Sequence, residues 1–234
     1  MRLSPRLSMV AELVREGVTV ADIGTDHAYL PAYLVASGKC SGAVACDLRE
    51  GPLMNAVANV AACGLTDKIE MRISDGLEKL RPEDADDFVF AGMGGNLIVD
   101  ILSKADWICD ARKRFIFQPM SHAELVRAYL LQNRFRILRE SACFDECRPY
   151  IAFSACFDPD YRPKYRKSYI WMGELADCKN DAARYYLTKQ YKDLKQRADA
   201  LEFANLLPQE VRIIREILPD IEPYIRKSRK EDAE

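Results

Sequence analysis

Thr19-Val20-Ala21-Asp22-Ile23-Gly24-Thr25-Asp26-His27-Ala28-Tyr29-Leu30-Pro31 is the stretch that decides how the chain is read. A short apolar run meets an acid, a glycine and a second acid, and a helical pattern follows at once. A doubly wound α/β domain places such a strand–loop–helix unit where its sheet receives nucleotide-like ligands, at the carboxyl end of the first strand. The loop carries a single glycine and so fits a G-x-G-x-x-G dinucleotide fingerprint poorly. Two carboxylates at a strand tip also repel a pyrophosphate. The segment favours a cationic ligand without phosphate. S-adenosylmethionine, with a sulfonium, an ammonium and an uncharged ribose, answers that description.

The same alternation extends outward. The pattern predicts an amphipathic helix over 7–16 closed by Gly17, a first strand over 18–23, and a helix over 28–37 ended by Gly38. Residues 42–48 read as a second strand that again meets an acid, Asp47; Pro52 opens a helix reaching Cys63. Strands are expected over 68–73, 87–93 and 114–117. They lead into Ser74-Asp75-Gly76, into Gly94-Gly95 and a helix over 96–104, and into Gln118-Pro119 and a helix over 122–133. Such alternation implies a mostly parallel sheet with right-handed crossovers. Residues 135–144 and 150–157 then follow one another as strands, an antiparallel hairpin at the sheet edge with 145–149 as its loop. The fold class is α/β. A parallel sheet closed by a β-hairpin is the usual Rossmann-like architecture of S-adenosylmethionine-dependent methyltransferases.

Residues 158–167 read as a linker. Beyond it Leu187, Tyr191, Leu194, Ala198 and Leu201 recur at spacings of four, three, four and three, an a/d seam. Pro208 marks a turn. Val211, Ile214, Leu218 and Ile221 continue in a second helix that Pro219 and Pro223 would bend or end. The picture is a Rossmann-like domain over 1–160 and a helical, coiled-coil-like hairpin over 161–234 outside the catalytic core, with a charged, frayed tail from Lys227.

The 234 residues carry a formal charge of −2, which does not announce a nucleic-acid binder. The charge is uneven: acids dominate before Tyr161 and bases after it. The 8 cysteines include no C-x-x-C pair, and Cys143 and Cys147 lie in strand-like sequence with no histidine nearby, so no metal site is expected. The chain opens without an apolar leader core, and no apolar run approaches the roughly 20 residues of a membrane span. These features point to reduced thiols and a cytoplasmic protein. Its expected state is a monomer, with dimerisation through the C-terminal helices as the alternative.

Three acidic positions follow successive strands: Asp22 with Asp26, then Asp47, then Asp75. Asp47 is placed to accept hydrogen bonds from both ribose hydroxyls, as the acid about 20 residues on does in dinucleotide binders. Asp22 or Asp26 can face the ammonium or sulfonium charge. Gly24 lets the backbone approach the ligand, and Asp75 can accept from an adenine amino group beside Ser74 and Gly76. Each acid alone could instead cap the next helix. Gly92-Met93-Gly94-Gly95-Asn96 follows the fourth strand, where such enzymes present the methyl acceptor. The Asn/Asp-Pro-Pro-aromatic clamp of many base-modifying methyltransferases is missing there. Tyr29, His27 and Phe117-Gln118-Pro119 are the candidates to replace it on the substrate side.

Asp22–Pro31, Asp47 with Gly51-Pro52-Leu53, Ser74–Leu77, Ala91–Gly95 and Gln118-Pro119-Met120 together resemble the bacterial tRNA (adenine-22) N1-methyltransferase family, across roughly residues 1–160 and, more weakly, through the two helices that follow to the C-terminus. The resemblance implies S-adenosylmethionine as donor and methylation of adenine N1 in the D-arm region of tRNA. It carries cofactor contacts onto Asp22, Gly24, Asp26, His27, Asp47, Leu48, Asp75, Gly76, Gly92, Met93 and Gly94. Methylation makes the base cationic, and Asp26 or Asn96 is the expected acceptor for its exocyclic amine. Two basic tracts are the expected tRNA contacts: Arg162, Lys164, Arg166 and Lys167 in the linker, and Lys189, Lys192, Lys195 and Arg197 beside the heptad seam. Two other readings remain open. One is a methyltransferase of a small molecule or protein; the other is a non-catalytic binding module on a methyltransferase scaffold.

Overall fold

The computed structural model describes residues 2–162, 165–178 and 180–225. Lys164 and the charged tail therefore lie outside the described residues.

Seven strands form one sheet in the order β3-β2-β1-β4-β5-β7-β6. The strands are β1 (Thr19–Ile23), β2 (Gly42–Asp47), β3 (Ile69–Ile73), β4 (Asp87–Met93), β5 (Arg114–Pro119), β6 (Phe135–Asp145) and β7 (Arg148–Phe157). The first five pair in parallel, and β7 joins β5 antiparallel. The order reverses between β1 and β4, the place where open α/β sheets leave a crevice.

Side chains alternate across each strand, so every strand feeds two cores. Val20, Ala43, Ala45, Val89, Ile116 and Ala152 pack against α1 (Pro5–Leu13), α2 (Tyr29–Ala36) and α3 (Glu50–Ala62). On the opposite face Phe88 stacks on Phe115 and Phe90 on Phe117, at 5.6 and 5.4 Å between centroids. This face is covered by α4 (Gly95–Ser103) and α5 (Ala123–Gln132). It is covered further by α6 (Tyr169–Met172), α7 (Asp181–Phe203) and α8 (Pro208–Ile225).

The structure corrects several expectations. The first helix begins at Pro5, because Ser4 caps it by accepting from the Leu7 amide and proline suits the first turn. The β6–β7 loop shrinks to Glu146-Cys147, both at positive φ (47° and 62°), the geometry whose twist matches two antiparallel strands. Helix α8 runs through Pro219 and Pro223 to Ile225. Its buried stripe of Ile214, Ile217, Leu218 and Ile221 outweighs the lost helix bonds. Nor does the helical hairpin stand apart from the sheet. Leu187, Leu194, Ala198 and Ile214 belong to the same buried cluster as Phe117 and Phe153.

Candidate active site

The tips of the first three strands are knitted by backbone bonds. Gly24 and Thr25 amides donate to the Cys46 carbonyl at 2.9 and 2.7 Å, and the Ser74 amide donates to the Asp47 carbonyl at 3.0 Å. Asp22, Asp47 and the Ser74–Gly76 turn thus lie together at the carboxyl ends of three adjacent parallel strands. None of the acids caps a helix: Ala28 precedes α2 in a left-handed conformation and Arg49 precedes α3. The capping alternative is removed for them.

Asp22 is the chemically distinctive member. It is 7% exposed, and no cation pairs with it among the described residues. Burial pushes its carboxyl up to about 6, against a hydrogen bond from Thr25 that lowers it. A buried acid without a counter-charge suits a cationic ligand. Gly24 sits beside it at φ 80°, and a Cβ there would meet the Met93 methyl at 2.9 Å. The loop after β1 therefore closes directly onto the turn after β4. The Asp47 carboxylate accepts from the Arg49 amide at 2.8 Å. Asp75 and Leu48 are exposed on the same rim, and Asp75 also lines a cavity of about 380 Å3 with Ile101, Lys104 and Trp107. Asp26 is exposed, with His27 Nε2 at 3.2 Å, and the His27 ring stacks on Tyr29 at 5.2 Å.

The turn after β4 is held from below. A bulge separates Ala91 from Met93, and the Gly92 amide donates to Gln118 Oε1 at 3.1 Å. Gln118 is buried, so the structure makes it a support of the turn rather than a surface contact for substrate. The same oxygen accepts from Arg6 Nη1 at 2.7 Å, and the Arg6 guanidinium lies over the Tyr150 ring at 5.8 Å. Met120 N donates to Met93 O, and Gly95 N to Ser121 O. Pro119 is buried in β5 and walls a larger groove described below. Asn96 is exposed in the first turn of α4.

The basic tracts divide. Arg166 pairs with Asp220 at 3.0 Å and Lys167 with Glu216 at 2.8 Å, fastening the linker to α8. Arg162 donates to the carbonyls of Pro159 and Tyr161. Lys189 and Arg197 line the groove, whereas Lys192 and Lys195 are exposed elsewhere on α7. Sequence reading missed Arg6, and it gave Met120 a place in a motif but no place at the site. Arg6 is brought in from α1 by tertiary packing, which leaves no local signal. Met120 is 48% exposed immediately after a buried strand, an apolar residue where the strand-end pattern alone would have marked a rim.

Residues 3–153 match the methyltransferase-domain family. The fold superposes on the Bacillus subtilis M1A22 tRNA methyltransferase TrmK with a TM-score of 0.85 and 30% identity, over 96% of this chain and 99% of that one. The chain belongs to the tRNA m1A22 methyltransferase family. By sequence it is 41% identical over 140 residues to the tRNA (adenine(22)-N(1))-methyltransferase of Bacillus subtilis strain 168, covering 60% of this chain and 59% of that protein. The chain's sequence matches span less than two thirds of the curated relatives' length. It is also similar to Streptococcus pneumoniae Sp1610, solved in complex with S-adenosyl-L-methionine. That match has a TM-score of 0.79 and 30% identity over 96% of this chain and all (100%) of that one. The weaker resemblance expected over the two C-terminal helices is matched by the fold, which superposes over 96% of this chain.

Proposed function

We propose that the chain is an S-adenosyl-L-methionine-dependent tRNA methyltransferase acting on N1 of adenine 22 in the D-arm region of bacterial tRNA. The observation that carries this is the near-complete superposition on a tRNA m1A22 methyltransferase, α7 and α8 included. Asp22, buried and without a cation beside it among the described residues, supports a cationic donor, and a cytoplasmic setting follows from tRNA as substrate.

When bound, S-adenosyl-L-methionine supplies an electrophilic methyl on a sulfonium. Asp47 would hold the ribose hydroxyls, Asp22 would balance the positive charge, and Asp75 with Gly76 would hold the adenine edge. Leu48, Gly24 and His27 would complete the walls, and Gly92-Met93-Gly94 would separate donor from acceptor. Adenine N1 carries a free lone pair at neutral pH, so the protein needs no strong base and works by alignment. N1 is hidden in a base pair, so the base is presented unpaired or flipped. Asp26 or Asn96 accepts from the exocyclic amine and stabilises the cationic product; Tyr29 offers a ring near that position.

The direct test supplies labelled S-adenosyl-L-methionine and unmodified bulk tRNA and then identifies the labelled nucleoside. Label in 1-methyladenosine is expected; label elsewhere, or none, overturns the reading. Asp26→Asn and Asn96→Ala address the acceptor role: near-normal turnover in both would remove it.

Asp22 makes cofactor binding pH-dependent. Its folded carboxyl titrates near 6 rather than 3.8, so the folded, cofactor-free protein holds this proton more tightly than the unfolded chain. Its contribution to stability therefore falls as pH rises from about 4 to 6. A cation beside Asp22 selects the ionised form, so affinity for S-adenosyl-L-methionine is expected to tighten about 10-fold between pH 5 and pH 7. Calorimetry at pH 5, 6 and 7 checks this. Asp22→Asn should bind more weakly with a flat profile, and an unchanged profile in that variant would show that another group titrates.

A further inference from the structure

We infer that the groove between the β5–α5 loop, the β6–β7 turn and α7 seats an unpaired nucleotide adjacent to the methylated base. This rests on the tRNA methyltransferase reading and adds a subsite to it. Extruding a base from its stack leaves its neighbours partly unstacked, and a protein that stabilises that state offers them rings and cations.

The groove has a volume of about 640 Å3, within the ~300–1,000 Å3 typical of sites for ligands of nucleotide size. One wall is Pro119-Met120-Ser121-His122. This wall is continuous with the methyl-acceptor turn, because Met120 is bonded to Met93 and Ser121 to Gly95. Arg6 joins the two regions from behind, bonded to Gln118 under Gly92 and lying over Tyr150, which lines the groove.

The opposite wall is α7. Tyr185, Lys189, Asp193 and Arg197 are four residues apart and so share one face of the helix. Tyr185 remains 56% exposed although its ring meets Phe144 edge-on at 5.7 Å. Arg197 is engaged by Glu210, and Glu124 by His122. Arg148 and Lys189 form no ion pair among the described residues. They stand at two sides of the groove with Tyr150 and Tyr185. Two cations free to meet phosphate, beside rings available for stacking, suit a single-stranded nucleotide recognised without regard to its base.

Two experiments on the full chain test the subsite. In the first, exposed thiols are alkylated with and without unmodified tRNA and mapped by mass spectrometry. Cys147 lines the groove, whereas Cys63 is exposed at the end of α3. Protection of Cys147 but not of Cys63 is expected; equal labelling of Cys147 with and without tRNA overturns the proposal. In the second, Lys189→Glu and Tyr185→Ala are each expected to raise KM for tRNA about 10-fold, with Kd for S-adenosyl-L-methionine unchanged. Tyr185→Phe should recover most of what Tyr185→Ala loses, since the ring and not the hydroxyl is required. If the wild-type protein forms 1-methyladenosine while both variants keep KM within about twofold, the subsite is wrong and the activity stands. If the wild-type protein transfers no methyl to tRNA, the underlying reading fails, and the subsite with it.

Discussion

Arg127→Met is expected to destabilise the protein by about 3–5 kcal/mol, because it strands a buried carboxylate. Arg127 and Glu140 both have fully buried side chains, and Arg127 Nη2 lies 2.5 Å from Glu140 Oε1. The pair is also the anchor for the chain segment entering the helical hairpin. Arg127 Nη1 donates to the Ile170 carbonyl at 2.8 Å, and Glu140 Oε2 accepts from the Glu174 amide at 2.8 Å. Gly173 passes so close that a Cβ there would strike Glu140 Oε2 and approach Arg127 Nε at 2.6 Å. The guanidinium also covers the Phe153 ring at 5.3 Å. Removing the cation therefore loosens the entry to α7 as well as leaving a charge uncompensated. A fall in melting temperature of roughly 10 °C is expected for a chain of this size. The double variant Arg127→Met with Glu140→Leu should recover much of it, since an apolar pair needs no compensation. Denaturant melts of the two singles and the double measure the coupling. A single-variant loss below about 1 kcal/mol would show that the pair is not the anchor.

Gly95→Ala is expected to lower kcat/KM about 100-fold through displacement of the methyl-acceptor turn. A Cβ at Gly95 would collide with the His122 carbonyl oxygen and lie 2.8 Å from the His122 carbon and 2.9 Å from the Ser121 oxygen. These are backbone atoms, so no side-chain rotation relieves the contact. The turn after β4 and the loop after β5 must separate, and the Gly95–Ser121 bond of 2.8 Å is lost. Gly51→Ala provides the comparison. Gly51 lies in the first turn of α3 with nothing within 4 Å of the added methyl, so it should be neutral or slightly stabilising. Steady-state kinetics with tRNA, alongside cofactor titration, separate a displaced turn from a lost cofactor site. Activity within threefold of wild type in Gly95→Ala would mean the loops can part without affecting the reaction.

The first four strands were legible because each meets an acid or a glycine at or just past its end, and the fifth because its apolar run meets Gln118-Pro119, a pattern set by local chemistry. The acids could be placed on one rim because parallel strands present their carboxyl ends together. Arg127 and Glu140 carry no local signal of their pairing in the sequence. One lies on α5 and the other on β6, and only the folded arrangement buries both. The ion pairs of the linker cations were hidden for a related reason. Arg166 and Lys167 stand in a Tyr-and-base pattern suited to RNA, but their acidic partners arrive from a helix some fifty residues later. The helical hairpin's period gave its seam correctly. Its docking on the sheet was hidden because the same small residues, such as Ala183 and Ala198, serve either surface.

The contact between α1 and the last two strands also has a consequence for when the site forms. The Arg6 amide bonds to Asp145 across 139 residues, and the Arg6 guanidinium reaches Gln118 across 112. Contacts this distant along the chain close late in folding. During synthesis α1 emerges long before the strands it packs on, so it waits for them unpaired. The Arg6 brace behind Gln118 is therefore among the last contacts to be assembled. The turn after β4 rests on Gln118 as soon as β4 and β5 pair, and closure of the sheet edge by β6 and β7 adds the Arg6 brace behind it.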